Sequence, residues 1–574
     1  MKKKLYIFCI FFSILNVYSQ VNHSQANHLQ ANYLRTNYLR TNRLQKNDNP
    51  ILIYCPKGLI LASTMKDLNN CDVRKIDGIK IIGLDIPGRE NNFKEKINPL
   101  FFKKKLTKQD IIIIKQAIIL YYKDHNRPIL TVKIPSQSVK DSVLKMLVIE
   151  GKIGEINITG NKWTKNKKLE KYVRLKSNQS IDESILIKDL NFINRNPFRH
   201  ADLVYSPGKL KGTTDINLIV KNRCPCRFYC GVENTGLDIL GRNRGFLGIN
   251  LNNVMGLDNV VSYQYSSGFK DDKFMAHTLQ YSAFLPWHHV LYLFGGYSSV
   301  HSCLPDIISN KTRGKSIQAS MRYNIPLKPG HFFLSEIIFG SDFKRTNNTL
   351  DFTEEFPRFG AFVNIFQFMF GYNINYEKKN IKKSLNLEIF ISPGKLLPDQ
   401  SNDRFNKLRC NAKNQYIYAT ISSSSLFQLY KDFSLSIYLK GQLASCNLLP
   451  SEQLGIGGSS TVRGYEERQL NGDNGILINL ELRSFPISIF KFLMKSKIKD
   501  GFQILGFLDY GLANLHKPAS FEKNNQYLLG AGPGVRYSMG SYLSFRLDLG
   551  YKLHKKSEYG GGNSMIHFSL VSSF

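Results

Sequence analysis

The sequence lacks the long apolar segments that cross a membrane as helices, because no stretch beyond the N-terminus approaches the roughly 18 consecutive apolar residues that such a helix needs. It also lacks a glycine-rich nucleotide loop, a nucleophile–histidine–acid constellation and a histidine–cysteine cluster at metal-ligand spacing. These absences argue against a helical membrane protein, a nucleotide hydrolase and a metalloenzyme. We therefore predict a protein with no cofactor, no metal and no enzymatic activity.

Acidic residues are scarce relative to basic ones. The chain has 44 aspartates and glutamates against 78 lysines and arginines, and residues 51–223 alone carry 33 basic and 17 acidic residues. Such a surface could steer an acidic partner or touch anionic lipid headgroups. However, lysine accompanies abundant asparagine and isoleucine, which indicates compositional bias, and no basic motif interleaved with aromatic residues occurs. The composition therefore argues against a nucleic-acid partner.

Cysteines are few, and their pattern is poor for a metal site. Nine occur, and eight remain if the leader described below is removed. Cys224, Cys226 and Cys230 fall at alternate positions of a predicted strand with no histidine nearby, so they are predicted to pack on one face and not to ligate a metal. Cys55 and Cys71 either close a short loop or stay reduced, and both alternatives remain open at this point.

A leader and a tether are predicted before the folded part of the chain. Residues 1–19 combine Lys2–Lys4 with a short apolar run, which is typical of a secretory signal peptide. Residues 20–72 are predicted to be a polar, flexible tether, because asparagine recurs every five residues from 22 to 47 and this period gives no apolar helix stripe. An exported, aromatic-rich chain without a spanning helix is then either soluble or a β-barrel.

Two small α+β units are predicted, over residues 73–152 and 153–223. Each shows the order strand, helix, helix, strand, strand. A helix capping box begins with Thr107 in the first unit and with Ser180 in the second. The open edge of such a sheet can accept an extended chain as an additional strand, so these units are predicted to bind a partner.

From residue 224 to 574, apolar and polar residues alternate with the period of two that strands show. About sixteen such strands start near residues 226, 245, 259, 276, 290, 315, 331, 360, 383, 414, 432, 475, 501, 527, 542 and 564. Long connections mostly follow odd-numbered strands and short ones follow even-numbered strands, which is the sidedness of an outer-membrane barrel. This order places residues 445–474 in the sixth outer loop, and it turns Arg546 and Asp548 toward the lumen.

The most distinctive segment is a loop tip flanked by glycines. Its central residues are Val462, Arg463, Gly464 and Tyr465. The strand that follows alternates strictly, so Glu481 must face the opposite way from Leu480 and Leu482. With the apolar side toward lipid, Glu481 faces the barrel lumen, where Arg463 could reach it.

A second strand supplies the motif Phe507-Leu508-Asp509-Tyr510-Gly511. Together the two motifs resemble those of the outer-membrane partners of two-partner secretion systems, the haemolysin secretion/activation family of the Omp85 superfamily. The resemblance covers residues 73–574 and implies a transmembrane β-barrel of about sixteen antiparallel strands preceded by two α+β POTRA domains. It also implies that Arg463 folds back into the barrel to pair with Asp509, with Glu481 nearby and with Phe507 and Gly511 marking the partner strand.

The resemblance further implies a function and its partners. A protein of this family secretes a large exoprotein across the outer membrane of a Gram-negative-type bacterium, with its POTRA domains in the periplasm. The client is expected to be recognised unfolded, the barrel to contact outer-membrane lipid, and the end at Phe574 resembles the signal that barrel-assembly machinery reads. An assembly factor that inserts barrels into the outer membrane is the alternative. A passive porin or uptake receptor would leave the POTRA units and the arginine motif unexplained.

Overall fold

The structure is a computed structural model that describes residues 51–574 with internal gaps. These gaps are 74–75, 139–140, 211, 238–239, 270–272, 304–310, 329, 331, 352–358, 491–498, 521 and 555–561. The chain divides after Arg223 into two compact units, and each is described by itself. Within the described ranges, no helix is both long and apolar enough to cross a membrane. The expected signal peptide (1–19) and the expected tether as far as residue 50 lie outside the described residues.

Residues 51–150 form an α/β unit. Its elements are β1 (Ile51–Tyr54), β2 (Gly58–Ala62), α1 (Met65–Asn69), β3 (Gly78–Ile82), α2 (Glu90–Phe101), β4 (Lys105–Thr107), α3 (Lys108–Asp124), β5 (Leu130–Lys133) and β6 (Val143–Glu150). Four strands make a sheet in the order β3-β2-β6-β5, and β1 pairs with β4. Helices α2 and α3 bury Phe93, Ile114 and Ile118 against Leu59 of the sheet, and this is the core of the unit.

The structure corrects the expected start of the folded region. The tether was expected to extend to residue 72, but β2 is an inner strand between β3 and β6, and all of its residues are buried. Because both faces of β2 are covered, its sequence is continuously apolar and does not alternate. Thr64 then caps α1 by accepting the Asp67 N–H at 3.2 Å. The folded unit therefore includes the segment from Ile51 to residue 72.

Helix α3 starts as predicted, at a capping box. The Thr107 hydroxyl oxygen accepts the Asp110 N–H at 3.2 Å, and Asp110 Oδ2 accepts the Thr107 N–H at 2.9 Å. Lys103 Nζ donates to the other Asp110 oxygen at 2.7 Å. These hydrogen bonds, led by the one from Lys103 and then the one from the Thr107 side chain, lower the pKa of Asp110 to about 2.

Residues 151–223 form a smaller α/β unit. Its elements are β7 (Lys152–Thr159), α4 (Asn166–Glu170), α5 (Glu183–Ile193), β8 (Arg199–Pro207) and β9 (Thr213–Asn222), and the sheet order is β7-β9-β8. The prediction that Ser180 caps α5 is wrong, because Ser180 pairs with Lys152 in an isolated bridge and so remains extended. Asp182 is the cap, and its Oδ1 accepts the N–H groups of Ser184 at 2.9 Å and Ile185 at 3.3 Å.

The strands after residue 223 build a barrel. They are β10 (Cys226–Glu233), β11 (Arg244–Asn252), β12 (Asn259–Gly268), β13 (Phe274–Phe284), β14 (Val290–Cys303), β15 (Lys311–Pro326), β16 (Phe333–Asp351), β17 (Phe359–Lys378), β18 (Ile381–Ser392), β19 (Tyr416–Gln428), β20 (Ser434–Ala444), β21 (Leu454–Ile456), β22 (Leu470–Gly472), β23 (Asn474–Arg483), β24 (Asp500–Asn514), β25 (Gln526–Met539), β26 (Leu543–Lys552) and β27 (Ser564–Ser573). All of them except β21 and β22 belong to one closed barrel, in which β10 pairs antiparallel with β27. A short helix, α6 (Asn402–Leu408), lies between β18 and β19. The predicted sixteen-stranded barrel is thus confirmed, and each predicted start lies within four residues of the observed one.

Alternation along the barrel strands separates a lipid face from a lumen face. On β24 the exposed Leu508 lies between Phe507 and Asp509, which are buried. Of the grouped cysteines, Cys226 and Cys230 do share the outer face of β10, alternating with the buried Tyr229, whereas Cys224 precedes the strand. Seven cysteines are free thiols in the structure: Cys55, Cys71, Cys224, Cys226, Cys230, Cys410 and Cys446.

The connection between β20 and β23, residues 445–473, lies against the inner face of the barrel; we call it loop 445–473. It contains the hairpin of β21 and β22. Ile456, Val462 and Tyr465 of this loop are fully buried, together with Leu477 of β23 and Leu528 of β25. This apolar contact seats the loop on the wall and places its tip beside the inward-facing charges.

Candidate functional site

Arg463 is the main link between loop 445–473 and the barrel wall. The residue is 1 % exposed. Its Nε donates to Asp509 Oδ2 at 2.6 Å and its Nη2 donates to Asp509 Oδ1 at 2.7 Å, so the ion pair is bidentate. The Arg463 backbone N–H also donates to Asp509 Oδ2, at 3.1 Å. One carboxylate on β24 therefore fixes both the side chain and the backbone of the loop tip.

Two further carboxylates face the same guanidinium group. Arg463 Nη1 donates to Glu481 Oε1 at 2.6 Å and lies 3.6 Å from Asp548 Oδ1. Burial alone would lower the pKa of Arg463, but its hydrogen bonds to Asp509 and the nearby negative charges raise that pKa above its ordinary value. The guanidinium group therefore stays charged, and the three carboxylates around it compensate that charge inside the wall.

Three more arginines surround these carboxylates. Arg483 Nη2 donates to Glu481 Oε2 at 2.6 Å, while Asp548 accepts from Arg536 Nη1 at 2.7 Å and from Arg546 Nε at 2.6 Å. Opposite charges are thus nearly balanced in the cluster, which limits the cost of burying it. Removing one of the three carboxylates leaves buried arginine charge uncompensated, at a cost of about 3–5 kcal/mol. Arg536 was not singled out in the sequence, and only its inward position in β25 could have indicated it.

The strand motif that contains Asp509 places three residues in succession on the inner face of β24. The guanidinium carbon of Arg463 lies 3.6 Å from the centroid of the Phe507 ring. A Cβ atom on Gly511 would come within 2.3 Å of Ile456 in the loop. Phe507 therefore stacks on the arginine, Asp509 binds it, and Gly511 leaves room for the loop.

The backbone of the loop tip lies directly on the backbone of the wall. A Cβ atom on Gly550 of β26 would come within 2.3 Å of the Gly464 nitrogen, and one on Gly530 of β25 would come within 2.1 Å of the Arg463 carbonyl oxygen. Gly464 has a φ of 96°, which side chains disfavour, and its N–H donates to His567 Nε2 at 3.1 Å. Glycine is therefore required on both sides of this contact.

The remaining predicted residues also lie at the wall. Val462 belongs to the apolar contact, and the Tyr465 hydroxyl lies 2.6 Å from the His554 carbonyl oxygen. Asn479 of β23 donates to Asp509 Oδ1 at 2.7 Å and to the carbonyl of Thr461. The structure thus brings together all of the loop and strand residues that the sequence singled out.

A second anchor at the base of the loop was missed by sequence reasoning. Glu452 is buried and accepts from Lys344 Nζ on β16 at 2.8 Å. Its Oε2 also accepts from Gln367 Nε2 at 3.0 Å and from the Tyr418 hydroxyl at 2.8 Å. These partners come from β16, β17 and β19, so the base of the loop is tied to a part of the wall that the tip does not touch.

A third anchor joins the end of the loop to the connection between β18 and β19. Asp473 is fully buried, and Arg409 donates to both of its carboxylate oxygens, at 2.5 and 2.8 Å. The backbone N–H groups of Leu448 and His516 also donate to Asp473, at 2.9 and 3.0 Å. No sequence motif marks Arg409 or Asp473, and only their position in long polar connections could have suggested a role.

The cluster can hold a loop in place, and its carboxylates are already occupied by arginines. Among the residues that the structure describes, no group of three or more histidines, cysteines and acids is arranged to hold a metal ion. The chemistry available at this site is therefore ion pairing and hydrogen bonding between a loop and a barrel wall.

Comparison with known proteins identifies the family of the chain. The profile described as "Haemolysin secretion/activation protein ShlB/FhaC/HecB" matches residues 212–537. The chain belongs to this family. A second profile, described as POTRA, "Surface antigen variable number repeat", matches residues 151–223, which is the smaller α/β unit.

Individual relatives agree with the family assignment. The heme/hemopexin transporter protein HuxB of Haemophilus influenzae strain 86-028NP is 26 % identical over 469 residues, which are 76 % of this chain and 77 % of that protein. The structure of CdiB from Escherichia coli covers 92 % of both chains with a TM-score of 0.75 at 16 % identity. CdiB from Acinetobacter baumannii has a TM-score of 0.65 at 16 % identity and covers 95 % of this chain and 96 % of its own. These two structures have the fold of the present chain.

The chain is therefore an outer-membrane transporter of a two-partner secretion system, and it secretes a large exoprotein to the cell surface. Its barrel lies in the outer membrane and its POTRA region lies in the periplasm. The family decides between the two functions that the sequence left open, in favour of secretion and against barrel insertion.

Proposed function

We propose that loop 445–473 is the internal guide of the secretion channel and that the pair of Arg463 with Asp509 holds it there. The observation that carries this proposal is the burial of an arginine, 1 % exposed, in a bidentate pair inside the lumen. A side chain that served only to solubilise a loop would lie in water. The client then passes along a wall of fixed charges, with the loop tip as one side of the path.

The client is captured in unfolded form on a sheet edge of the periplasmic region. An extended chain can join an edge strand by main-chain hydrogen bonds, which depend little on sequence. The unit of residues 51–150 acts as a further POTRA domain in this proposal, with β3 and β5 at the edges of its sheet. In the unit of residues 151–223, β8 is an edge strand and has nine residues, enough for several such bonds.

The hydrogen-bond register of β8 shows which of its backbone N–H groups face the free edge of the sheet. The Gly208 N–H donates to the Thr213 carbonyl at 3.0 Å, and the Arg223 N–H donates to the Phe198 carbonyl at 2.8 Å. Because hydrogen-bonded pairs alternate in an antiparallel ladder, the even-numbered residues of β8 bond to β9 and the odd-numbered ones face the edge. The backbone N–H of Tyr205 is on that edge, in the half of β8 nearer to its C-terminus.

Part of the same edge is already covered by the chain itself. Asn194 donates to the Ala201 carbonyl at 3.0 Å and accepts the Ala201 N–H at 2.7 Å. An incoming strand would therefore pair with the half of β8 around Tyr205. Replacing Tyr205 with proline removes the outward N–H without breaking the ladder to β9. We expect Tyr205→Pro to weaken client capture, whereas Tyr205→Val, which keeps the N–H, should capture normally.

The channel works without nucleotide, metal, cofactor or nucleic acid and catalyses no reaction. Its lumen cluster is an ion-pair network. The barrel is inserted into the outer membrane by barrel-assembly machinery. Purified protein in vesicles should therefore translocate its client without any nucleotide.

A deletion strain tests the proposed function as a whole. Loss of this chain should remove one exoprotein from the medium and leave other outer-membrane barrels at normal abundance. A broad fall in barrel proteins with no secreted protein lost would overturn the proposal.

A further inference from the structure

The segment of residues 161–176 is the most concentrated basic surface of the smaller α/β unit. It contains seven lysines and arginines and a single acidic residue, Glu170. The exposed members of this basic segment are Lys162, Lys165, Lys167, Lys171, Arg174 and Lys176. The compositional excess of lysine in the whole chain does not by itself group so many charges around one short helix.

An exposed tryptophan lies within the basic segment. Trp163 is 49 % exposed, although tryptophan is one of the rarest residues here, with two in the chain. The other, Trp287, is 59 % exposed in the short turn between β13 and β14, and its Nε1 donates to the Tyr323 hydroxyl at 2.8 Å. Short turns of this kind lie at the periplasmic rim of a barrel, and tryptophan favours the headgroup region of a membrane.

The loop that presents Trp163 is held at the end of the unit from which the chain enters the barrel. The Lys162 N–H donates to Asn222 Oδ1 at 3.0 Å. A Cβ atom on Gly160 would come within 2.5 Å of the Val220 carbonyl oxygen, so the loop is packed on the end of β9. The first barrel strand starts at Cys226, and four residue steps from Asn222 reach at most about 14 Å. The covalent connection therefore limits the distance between the loop of Lys162 and Trp163 and the first barrel strand.

We propose that residues 161–176 bind the anionic headgroups of the periplasmic leaflet, with Trp163 entering the headgroup region. Lysines and arginines near a membrane surface are attracted to anionic lipid, and a neighbouring tryptophan adds an amphipathic anchor. The short reach to the membrane favours lipid over a soluble acidic protein, because the headgroups are always present at high local concentration. Binding here restricts the motion of the POTRA unit next to the mouth of the channel.

The two tryptophans provide a direct assay in the full-length protein. Trp287→Phe leaves Trp163 as the single indole, so its emission reports on the basic segment alone. The variant is reconstituted into vesicles of phosphatidylcholine or of an equimolar mixture of phosphatidylcholine and phosphatidylglycerol. A headgroup-attached nitroxide lipid then quenches Trp163 only when it lies at the membrane surface. We expect strong quenching in the mixed vesicles, and we expect salt to reduce it.

Charge reversal separates this contact from general effects of charge. In the Trp287→Phe background the test variant combines K162E, K165E, K167E and K171E, and the matched control combines K57E, K104E, K108E and K133E, which are exposed lysines of the unit of residues 51–150. We expect the test variant to lower the fraction of Trp163 that the nitroxide quenches at least about tenfold, and the control to leave it unchanged.

Three results would overturn the proposal. One is equal quenching in neutral and mixed vesicles, and a second is an equal effect of the test and control variants. The third is a change of Trp163 emission on addition of poly-glutamate without any response to lipid charge, which would assign the segment to an acidic protein partner.

Discussion

The guanidinium group of Arg463 stacks on the ring of Phe507, with 3.6 Å between its central carbon and the ring centroid. Asp509 is two residues further along β24, on the same inner face, and binds the edge of the same guanidinium group. The strand therefore offers the arginine both a flat apolar surface and a carboxylate fork. Only a planar side chain with several donors can use both.

The bidentate and stacked geometry of the Arg463 guanidinium group predicts that lysine cannot replace it. Lysine keeps the charge but loses the bidentate geometry and the stacking, so Arg463→Lys should lower secretion of the exoprotein at least about tenfold. Barrel abundance should stay normal, because the strand ladder is untouched. Secretion is measured in the culture medium and barrel folding by heat-modifiable migration on gels. Normal secretion by the lysine variant would show that charge alone suffices.

The contact of Gly464 with Gly550 predicts a loss of secretion without any change of charge. Gly550→Ala places a Cβ atom 2.3 Å from the Gly464 nitrogen, which is too close, so the loop tip must be displaced. Gly506→Ala is the matched control, because a Cβ atom on Gly506 of β24 meets no atom within 4 Å. We expect secretion to fall in the first variant and not in the second. The same secretion from both strains would mean that the position of the tip is unimportant.

The pair of Lys344 with Glu452 predicts that a single substitution is worse than a double one. Glu452→Leu leaves the buried Lys344 without this carboxylate. We expect this to destabilise the packing of loop 445–473 on the barrel wall by about 3–5 kcal/mol. Lys344→Met combined with Glu452→Leu removes both charges and should recover much of this loss. Proteolysis of the loop in folded barrels measures the effect. Additive damage in the double variant would show that the two residues act independently.

Much of this architecture could be predicted from the sequence, because apolar and polar residues alternate along each barrel strand and the alternation is visible in the sequence. Each strand has one face in lipid and one in the lumen, so alternation gave both the strand starts and the inward direction of Glu481, Asp509 and Asp548. The tip motif could be located because it lies in one continuous stretch of residues. The same reasoning could not find Lys344 and Glu452, which are 108 residues apart and follow no local rule.

The errors in the periplasmic region have equally physical causes. The segment from Ile51 to Ala62 was assigned to a tether because it follows a polar repeat, although its continuous apolar run is typical of an inner strand. The start of α5 was placed at Ser180 because two capping residues compete there. The bridge of Ser180 with Lys152 decides in favour of Asp182, and that tertiary contact is invisible in the local sequence.

Asp110 predicts a dependence of stability on pH in the periplasmic region. Its folded pKa, about 2, is below the unfolded value near 4, so the carboxylate stabilises the fold above the unfolded pKa and loses this effect as pH falls from 4 toward 2. A fragment of residues 51–223 should therefore lose stability more steeply over that window than its Asp110→Asn variant. At neutral pH the variant should be less stable by about 1 kcal/mol. Urea unfolding followed by circular dichroism measures both, and parallel pH curves would exclude this role of Asp110.

The most direct test of the central claim is the secretion of the exoprotein by a charge swap of Arg463 and Asp509. Arg463→Asp and Asp509→Arg should each abolish secretion, because each leaves like charges facing one another in the lumen. If the two side chains hold the loop by pairing, the combined variant should recover secretion clearly above both single variants at equal barrel abundance. A combined variant no better than the worse single variant would contradict the account.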